Sequence, residues 1–214
     1  MSPLITDNSY CILQWNCQGA RAKKDELLQY IKDFNVDILA LQETKFDNNH
    51  LIKFPNYNIE KCDGHVNHGA HGGVATYIHS DLPYERVPLN TPIQAVTVKI
   101  QTTSLITICN IYSSRSHPLS TALLNNLFNH LSHPLIIIGD FNAYNQMWGS
   151  RTRDAFGLVV EDFLTDNNLN IINSGEPTRI SYQAQSCIDL TMCFPTLEQG
   201  VYTLEISLIF VRSP

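Results

Sequence analysis

At 214 residues, with 43% of them apolar, the chain is long enough to bury a substantial core and short enough to be one domain. Fourteen basic against twenty acidic residues give a formal charge of −6, which argues against a protein that holds nucleic acid by bulk electrostatics. A metal-dependent nuclease stays open, since a cation offsets the carboxylates that bind it and a local basic strip is enough for contact.

No segment approaches the roughly 18 apolar residues of a membrane span, and Met1-Ser-Pro-Leu-Ile-Thr lacks a basic region followed by a long apolar run. The expectation is a soluble, intracellular protein with no membrane partner. The six cysteines form no C-x-x-C pair, and Cys11 and Cys109 fall inside apolar runs, so they read as core residues of a reduced protein.

In chain order, Cys11-Ile-Leu-Gln-Trp-Asn16 alternates as a first strand ending in the polar Asn16. Leu27, Leu28, Ile31 and Phe34 then recur at helical spacing over 22–34, and 36–43 reads as a buried strand that ends in Glu43. Residues 44–73 read as loop-rich, with His65, His68 and His71 in a glycine-rich run that suits a solvated loop better than a metal site. Strands are expected over 73–78, 93–100 and 105–112, the last ending in the phenol of Tyr112.

Ser120 reads as the N-cap of a helix whose stripe is Leu123, Leu124, Leu127, Phe128 and Leu131. The next stretch, Pro134-Leu-Ile-Ile-Ile-Gly-Asp-Phe-Asn142, reads as a strand buried on both faces, with Asp140 and Asn142 at its mouth. If the chain stays extended there, those two side chains point the same way; the competing reading is an Asx-rich turn. Phe156, Val159, Val160, Phe163 and Leu164 mark a further helix, 170–172 a short strand, 175–179 a turn, and 186–192 a strand with Asp189 inside it. No repeat, linker or low-complexity segment divides the chain, so residues 1–214 read as one domain.

Asn16, Glu43, Tyr112, Asp140 with Asn142, and Asp189 thus stand at or near the ends of strands far apart in sequence, and they form a site if those strands are neighbours. The motifs that hold them are Gln14-Trp-Asn-Cys-Gln-Gly19, Leu41-Gln-Glu-Thr44, Asn110-Ile-Tyr-Ser113, Ile138-Gly-Asp-Phe-Asn-Ala143 with Trp148-Gly-Ser150, Pro177-Thr-Arg179 and Ser186-Cys-Ile-Asp-Leu190. In this order they resemble the endonuclease/exonuclease/phosphatase superfamily, and within it the apurinic-type endonuclease domain of non-LTR retrotransposons. The resemblance covers about residues 10–192 and leaves 193–214 as a divergent tail.

The resemblance implies an α/β four-layer sandwich of two packed β-sheets flanked by helices. It implies Mg²⁺, or Mn²⁺, held by Glu43 with help from Asn16, and a scissile phosphate met by Tyr112. Asp140 would prepare the attacking water, Asn142 would contact a phosphate oxygen, and Asp189 would support the site. Arg151, Arg153, Thr178 and Arg179 would lie on loops facing duplex DNA. The implied activity is Mg²⁺-dependent nicking of DNA in the nucleus, with a reverse transcriptase domain on the same chain in an intact element.

One departure stands against these matches. The family carries a Ser-Asp-His triplet in its last core strand, and residues 201–214 contain neither Asp nor His. The expectation is a fold that lacks this strand, an open edge on its neighbour, and an impaired enzyme. A non-catalytic remnant that binds metal or nucleic acid weakly is one alternative, and a phosphomonoesterase or phospholipid phosphodiesterase of the same superfamily is another.

Overall fold

The structure is a computed structural model that describes residues 9–46, 51–64, 72–102, 104–117, 119–180, 185–198, 201–204 and 208–212. The chain runs β1 (Ser9–Asn16), a 3-10 turn (Ala20–Lys23), α1 (Lys24–Phe34), β2 (Ile38–Gln42), β3 (Tyr57–Cys62), β4 (Val74–His79), β5 (Tyr84–Val87), β6 (Gln94–Gln101) and β7 (Leu105–Tyr112). It continues through α2 (Thr121–Phe128), β8 (Leu135–Asp140), a 3-10 turn (Gln146–Trp148), α3 (Ala155–Asn167), β9 (Asn170–Ile171), β10 (Arg179–Ile180), β11 (Gln185–Ser186), β12 (Asp189–Cys193), α4 (Pro195–Glu198), β13 (Val201–Leu204) and β14 (Leu208–Arg212).

Two six-stranded sheets result, ordered β13-β14-β1-β2-β4-β3 and β5-β6-β7-β8-β12-β9, with β10–β11 as a separate hairpin. Alternation along the strands sorts side chains into three cores. Ile136 and Ile138 of β8 face Ile12, Ile38 and Ala40 of the other sheet, while Leu135 and Ile137 face α2 and α3. A third core lies between the first sheet and α1, around Leu13, Leu39, Leu41 and Leu27. The order is helix, sheet, sheet, helices, the four-layer architecture that the resemblance implied.

A polar link crosses the central core. Gln42 donates from Nε2 to Asn110 Oδ1 at 2.6 Å, and Asn110 Nδ2 donates to the Ala75 carbonyl at 3.1 Å, so buried amides tie the two sheets together, with Gln42 Oε1 left without a partner among the described residues. Cys11 and Cys109 are buried as expected, and burial pushes both thiols up to about 12, where they are inert at neutral pH.

Four expectations need correction. The segment 44–73 is not all loop, because β3 pairs along the whole of β4 with Tyr57 opposite His79. The strand foreseen over 186–192 is interrupted: the carbonyls of Cys187 and Ile188 accept from Ser150 Oγ and Phe141 N–H, and a new strand opens at Asp189. The stripe of α1 is narrower than its periodicity suggests, since Phe34 stays 40% exposed and rests on Tyr30. Finally, the edge of β1 is not open: β14 pairs with it antiparallel, Cys11 opposite Phe210, and β13 covers β14 in turn. Ladder bonds come from the backbone, so a tail of β-branched and apolar residues is enough to pair with β1. The run His65–His71 and residues 47–50 lie outside the described residues.

Candidate active site

The site forms where strands of both sheets end side by side. In the first sheet β1 and β2 run parallel with Asn16 opposite Gln42, which leaves Glu43 as the first residue beyond. In the second, β7 and β8 run parallel with Tyr112 opposite Asp140, and antiparallel β12 places Asp189 opposite Asp140 from the other side. Register partners share a face, so Tyr112, Asp140 and Asp189 stand in one row at the mouth of the cleft between the sheets.

Asn16 closes that row from the opposite sheet. Its Nδ2 donates to Glu43 Oε1 at 3.0 Å and to Asp140 Oδ2 at 2.6 Å, while its Oδ1 accepts from the Gln18 N–H at 3.2 Å. The backbone contact fixes which way the amide points. Asn16 therefore presents N–H groups to both carboxylates rather than an oxygen to a cation, and Glu43 with Asp140 supplies the oxygens.

Glu43 reaches this position through a left-handed backbone, φ +49°. Such a conformation costs a non-glycine residue about 1 kcal/mol or more and persists where the surroundings fix it. Here Gly19 N–H donates to the Glu43 carbonyl at 2.8 Å, and the next two N–H groups donate to Gly73 and Gly72 at 3.2 and 2.9 Å. Lys45 stands over the second oxygen of Glu43 at 4.0 Å.

Asp140 is 2% exposed. Burial first, then the neighbouring charge of Asp189, push its carboxyl up to about 8, with Glu43 adding to the rise and the donors Asn16 and Asn142 N–H opposing it. Asn142 does not extend beside it. The chain turns at φ +47°, the Asn142 N–H donates to Asp140 Oδ1 at 2.8 Å, and the side chain donates to the Ser113 carbonyl at 2.9 Å. The Asx turn and the site are thus one structure, and of the two readings open for this pair the turn is the one found.

The remaining predicted residues fall in varied places. Thr178 Oγ1 accepts from the N–H groups of Ile188 and Asp189, each at 3.2 Å, and so holds the backbone of Asp189. Arg153 pairs with Glu161 at 2.8 Å, Arg151 is exposed on the same loop, and the side chain of Arg179 lies outside the described residues. Trp148 and Ser150 are braces: the indole donates to the Ala143 carbonyl at 3.2 Å and the hydroxyl to Cys187 at 3.1 Å.

Three residues were missed by sequence reasoning. Asn173 donates to the Asp189 carbonyl at 2.8 Å and accepts from Thr191 N–H at 2.9 Å. Arg115 bonds Asp154 at 3.0 Å and reaches the Asn142 carbonyl at 3.4 Å, its guanidinium lying over Tyr144. Lys45 is the third. Arg115 and Lys45 carried a usable signal, a cation two or three residues past a polar strand tip, while Asn173 carried none.

Glu43 and Asp140 converge as carboxylate oxygens, and their negative charge, with that of Asp189, is what a hard divalent cation would offset. Among the described residues no three His, Cys, Asp or Glu side chains form a ready cage. The donor set suits a cation held by one or two carboxylates, with the rest of its shell left for water and phosphate.

Comparison with known proteins agrees with this geometry. The sequence profile of the Endonuclease/Exonuclease/phosphatase family matches residues 13–203. Curated relatives from Drosophila melanogaster include the probable RNA-directed DNA polymerase from transposon BS, 26% identical over 192 residues, and that from mobile element jockey, 26% identical over 174 residues. These alignments cover 86% and 78% of this chain but 21% and 19% of the relatives, so the chain spans about a fifth of their length. Among solved structures, the endonuclease domain of TRAS1, a telomere-specific non-LTR retrotransposon, superposes with a TM-score of 0.80 at 23% identity, over 95% of this chain and 98% of that one. An AP endonuclease from Archaeoglobus fulgidus superposes at 0.70 and 15% identity, over 96% and 100% of the two chains. At such identities these structures speak for the fold, and the profile match over most of the chain decides membership: the protein belongs to the endonuclease/exonuclease/phosphatase family.

Proposed function

We propose that this chain is the DNA endonuclease domain of a non-LTR retrotransposon protein, a Mg²⁺- or Mn²⁺-dependent phosphodiesterase that nicks one strand of duplex DNA in the nucleus. In the full-length protein a reverse transcriptase would follow on the same chain, as the names of the curated relatives suggest. The observation that carries the reading is the meeting of Glu43 and Asp140, from different sheets, on the single amide of Asn16 at 3.0 and 2.6 Å.

Glu43 and Asp140 would hold the cation, which supplies charge neutralisation at the phosphate when bound. Asp140 holds its own proton up to about pH 8 without the cation, so it would take a proton from water only in its ionised form. Asn16 keeps the two carboxylates apart and oriented. Tyr112, one strand away from Asp140, meets the scissile phosphate through its hydroxyl, and Asp189 sustains the field that makes Asp140 basic. Arg115 and Lys45 would supply positive charge at the rim, and Arg151 and Arg153 lie on the loop that follows Asn142.

Residues 201–214 carry no Asp or His that could add a further general acid–base group, a contribution worth about 10²- to 10⁴-fold in rate. A supercoiled plasmid should therefore be nicked in Mg²⁺ or Mn²⁺, more slowly by that factor than by a relative that carries the triplet, and not in EDTA. Mg²⁺ should also raise the melting temperature of the wild type, because an ion that binds only the folded state stabilises it. Glu43→Ala should abolish that rise; an equal rise in both proteins would remove Glu43 from the metal site.

A further inference from the structure

At the end of the first sheet away from Glu43, a groove of about 490 Å³ lies between the last turn of α1 and the loops that flank β3 and β4. We propose that it is a docking site for an arginine side chain of a partner polypeptide. It does not depend on the nuclease reading, because the groove and the candidate active site sit at opposite ends of β2. Asp37, in the groove wall, precedes the first residue of that strand, and Glu43 follows the last. At about 3.3 Å per residue the two are on the order of 20 Å apart.

Three features make the groove negative. Among the described residues Asp37 uses one carboxylate oxygen, Oδ2, which accepts from Cys11 N–H at 2.8 Å, and keeps the other for a ligand. Burial pushes this carboxyl up from its ordinary value, against the Cys11 N–H and the charge of His79, and a carboxylate short of solvent gains most from a cation brought to it. Asp81 stands on the rim with its side chain 87% exposed, its Oδ2 3.6 Å from His79 Nδ1. The carbonyl end of α1, which supplies Ile31, Lys32 and the left-handed C-cap Asn35 to the wall, adds the partial negative charge of a helix C-terminus. Lys32 is exposed and long enough to carry its own charge away to water.

The rest of the lining selects among cations. No three His, Cys, Asp or Glu side chains among the described residues could hold a metal ion, so a bare divalent cation has no cage here. Leu28, Ile31, Pro55 and Leu82 offer an apolar track for a methylene stem, and the volume suits one long side chain with its flanking backbone. Tyr57 is held by donating its hydroxyl to the Val36 carbonyl and by an edge contact with His79, ring centroids 5.2 Å apart. It gives a fixed ring for a planar guanidinium, and a carboxylate beside an aromatic ring favours arginine over lysine. The same negative charge repels nucleic acid, so the partner is a protein.

The test titrates blocked pentapeptides, Gly-Leu-Xaa-Leu-Gly with arginine, its neutral isostere citrulline or glutamate at the centre, into the isotopically labelled full chain, with amide shifts followed by NMR. The arginine peptide should bind roughly 10-fold or more tightly than the citrulline peptide, and the glutamate peptide should not bind. The shifted amides should lie around Asp37, Tyr57 and His79. Asp37→Asn keeps an acceptor for the Cys11 N–H, so it should lower the arginine peptide to the citrulline level and leave plasmid nicking unchanged. Asp81→Asn, at an exposed position, should weaken the arginine peptide by roughly 3-fold. Equal binding of the arginine and citrulline peptides, or no shifts with any peptide, overturns the proposal; shifts that gather at Glu43 and Asp140 overturn the location. Should Asp37→Asn fail to fold, a wild-type affinity in Asp81→Asn overturns the proposal on its own.

Discussion

Asp140 shows how one side chain can be placed against its own comfort. Its carboxyl is raised from the usual carboxylate range to about 8 by burial and by Asp189, so the folded state holds a proton that the unfolded chain releases near pH 4. Below pH 4 both states are protonated and the group costs nothing; as pH rises from there through about 8, the fold loses stability relative to a chain without this carboxyl. In EDTA, Asp140→Asn should therefore gain in melting temperature over wild type, with a gap that widens from pH 5 to above pH 8. The same variant should lose about 10²-fold or more in nicking rate. Melting curves across pH with a parallel nicking assay check both, and a gap that stays constant with pH would show that Asp140 is not the titrating group. A stabilised but inactive variant is the pattern expected where a site is held at the expense of the fold.

Among the elements, α3 does the most for the site without touching the reacting atoms. Its N-cap is Asp154, whose Oδ1 accepts from Gly157 N–H at 2.8 Å and from Tyr144 N–H at 3.1 Å, while Oδ2 pairs with Arg115 at 3.0 Å. One carboxylate thus starts the helix, fixes the loop after Asn142 and anchors the cation beside it. Gly157 permits this close packing, because a Cβ there would lie 1.9 Å from the Tyr144 carbonyl oxygen. Asp154→Ala should cost about 1–2 kcal/mol as a lost cap and also slow nicking. Asp154→Asn, which can still cap, should recover most of the stability in urea melts but not the rate. Equal rates in the two variants and wild type would mean that the loop holds its shape unaided. On the same loop, Arg151 and Arg153 should each contribute about one unit to the salt dependence of duplex binding if they touch phosphates. The pair of Arg153 with Glu161 predicts the smaller share for Arg153. A double substitution that leaves the slope unchanged would place the DNA face elsewhere.

The whole molecule depends on two sheets meeting at a fixed register, and the buried amides are the device that sets it. Sliding one apolar sheet over another costs little in area, but a slip separates Gln42 from Asn110 and leaves both without partners. Asn110→Leu should therefore destabilise the protein by about 1–3 kcal/mol for each group left unsatisfied, chiefly the Gln42 amide and the Ala75 carbonyl. Because Asn16 and Asp140 belong to different sheets, nicking should fall further than the stability loss accounts for. Denaturant midpoints and nicking rates measured below the transition test this, and a stability loss with an unchanged rate would leave register control to the apolar core alone.

Much of this was legible in the sequence because it depends on local periodicity. The run 105–112 read as a strand and 135–138 as a buried one, and both are so; Ser120 read as an N-cap and accepts from Leu123 N–H at 3.2 Å, and Asn16, Glu43, Tyr112 and Asp140 do stand at or just past the ends of strands. Pattern left open whether Asn142 would turn back, and could not say that Thr178 would hold Asp189 or that Asn16 would aim N–H groups at two carboxylates, since those depend on partners remote in sequence. Nor could it foresee that 208–212 would close the edge of β1, because the catalytic triplet is a matter of side chains and the ladder of backbone. The sequence by itself determined which residues sit at strand ends and what chemistry they carry; only the tertiary structure decided which of them meet, because hydrogen-bond partners and burial belong to the packed state of two sheets and not to any segment of the chain.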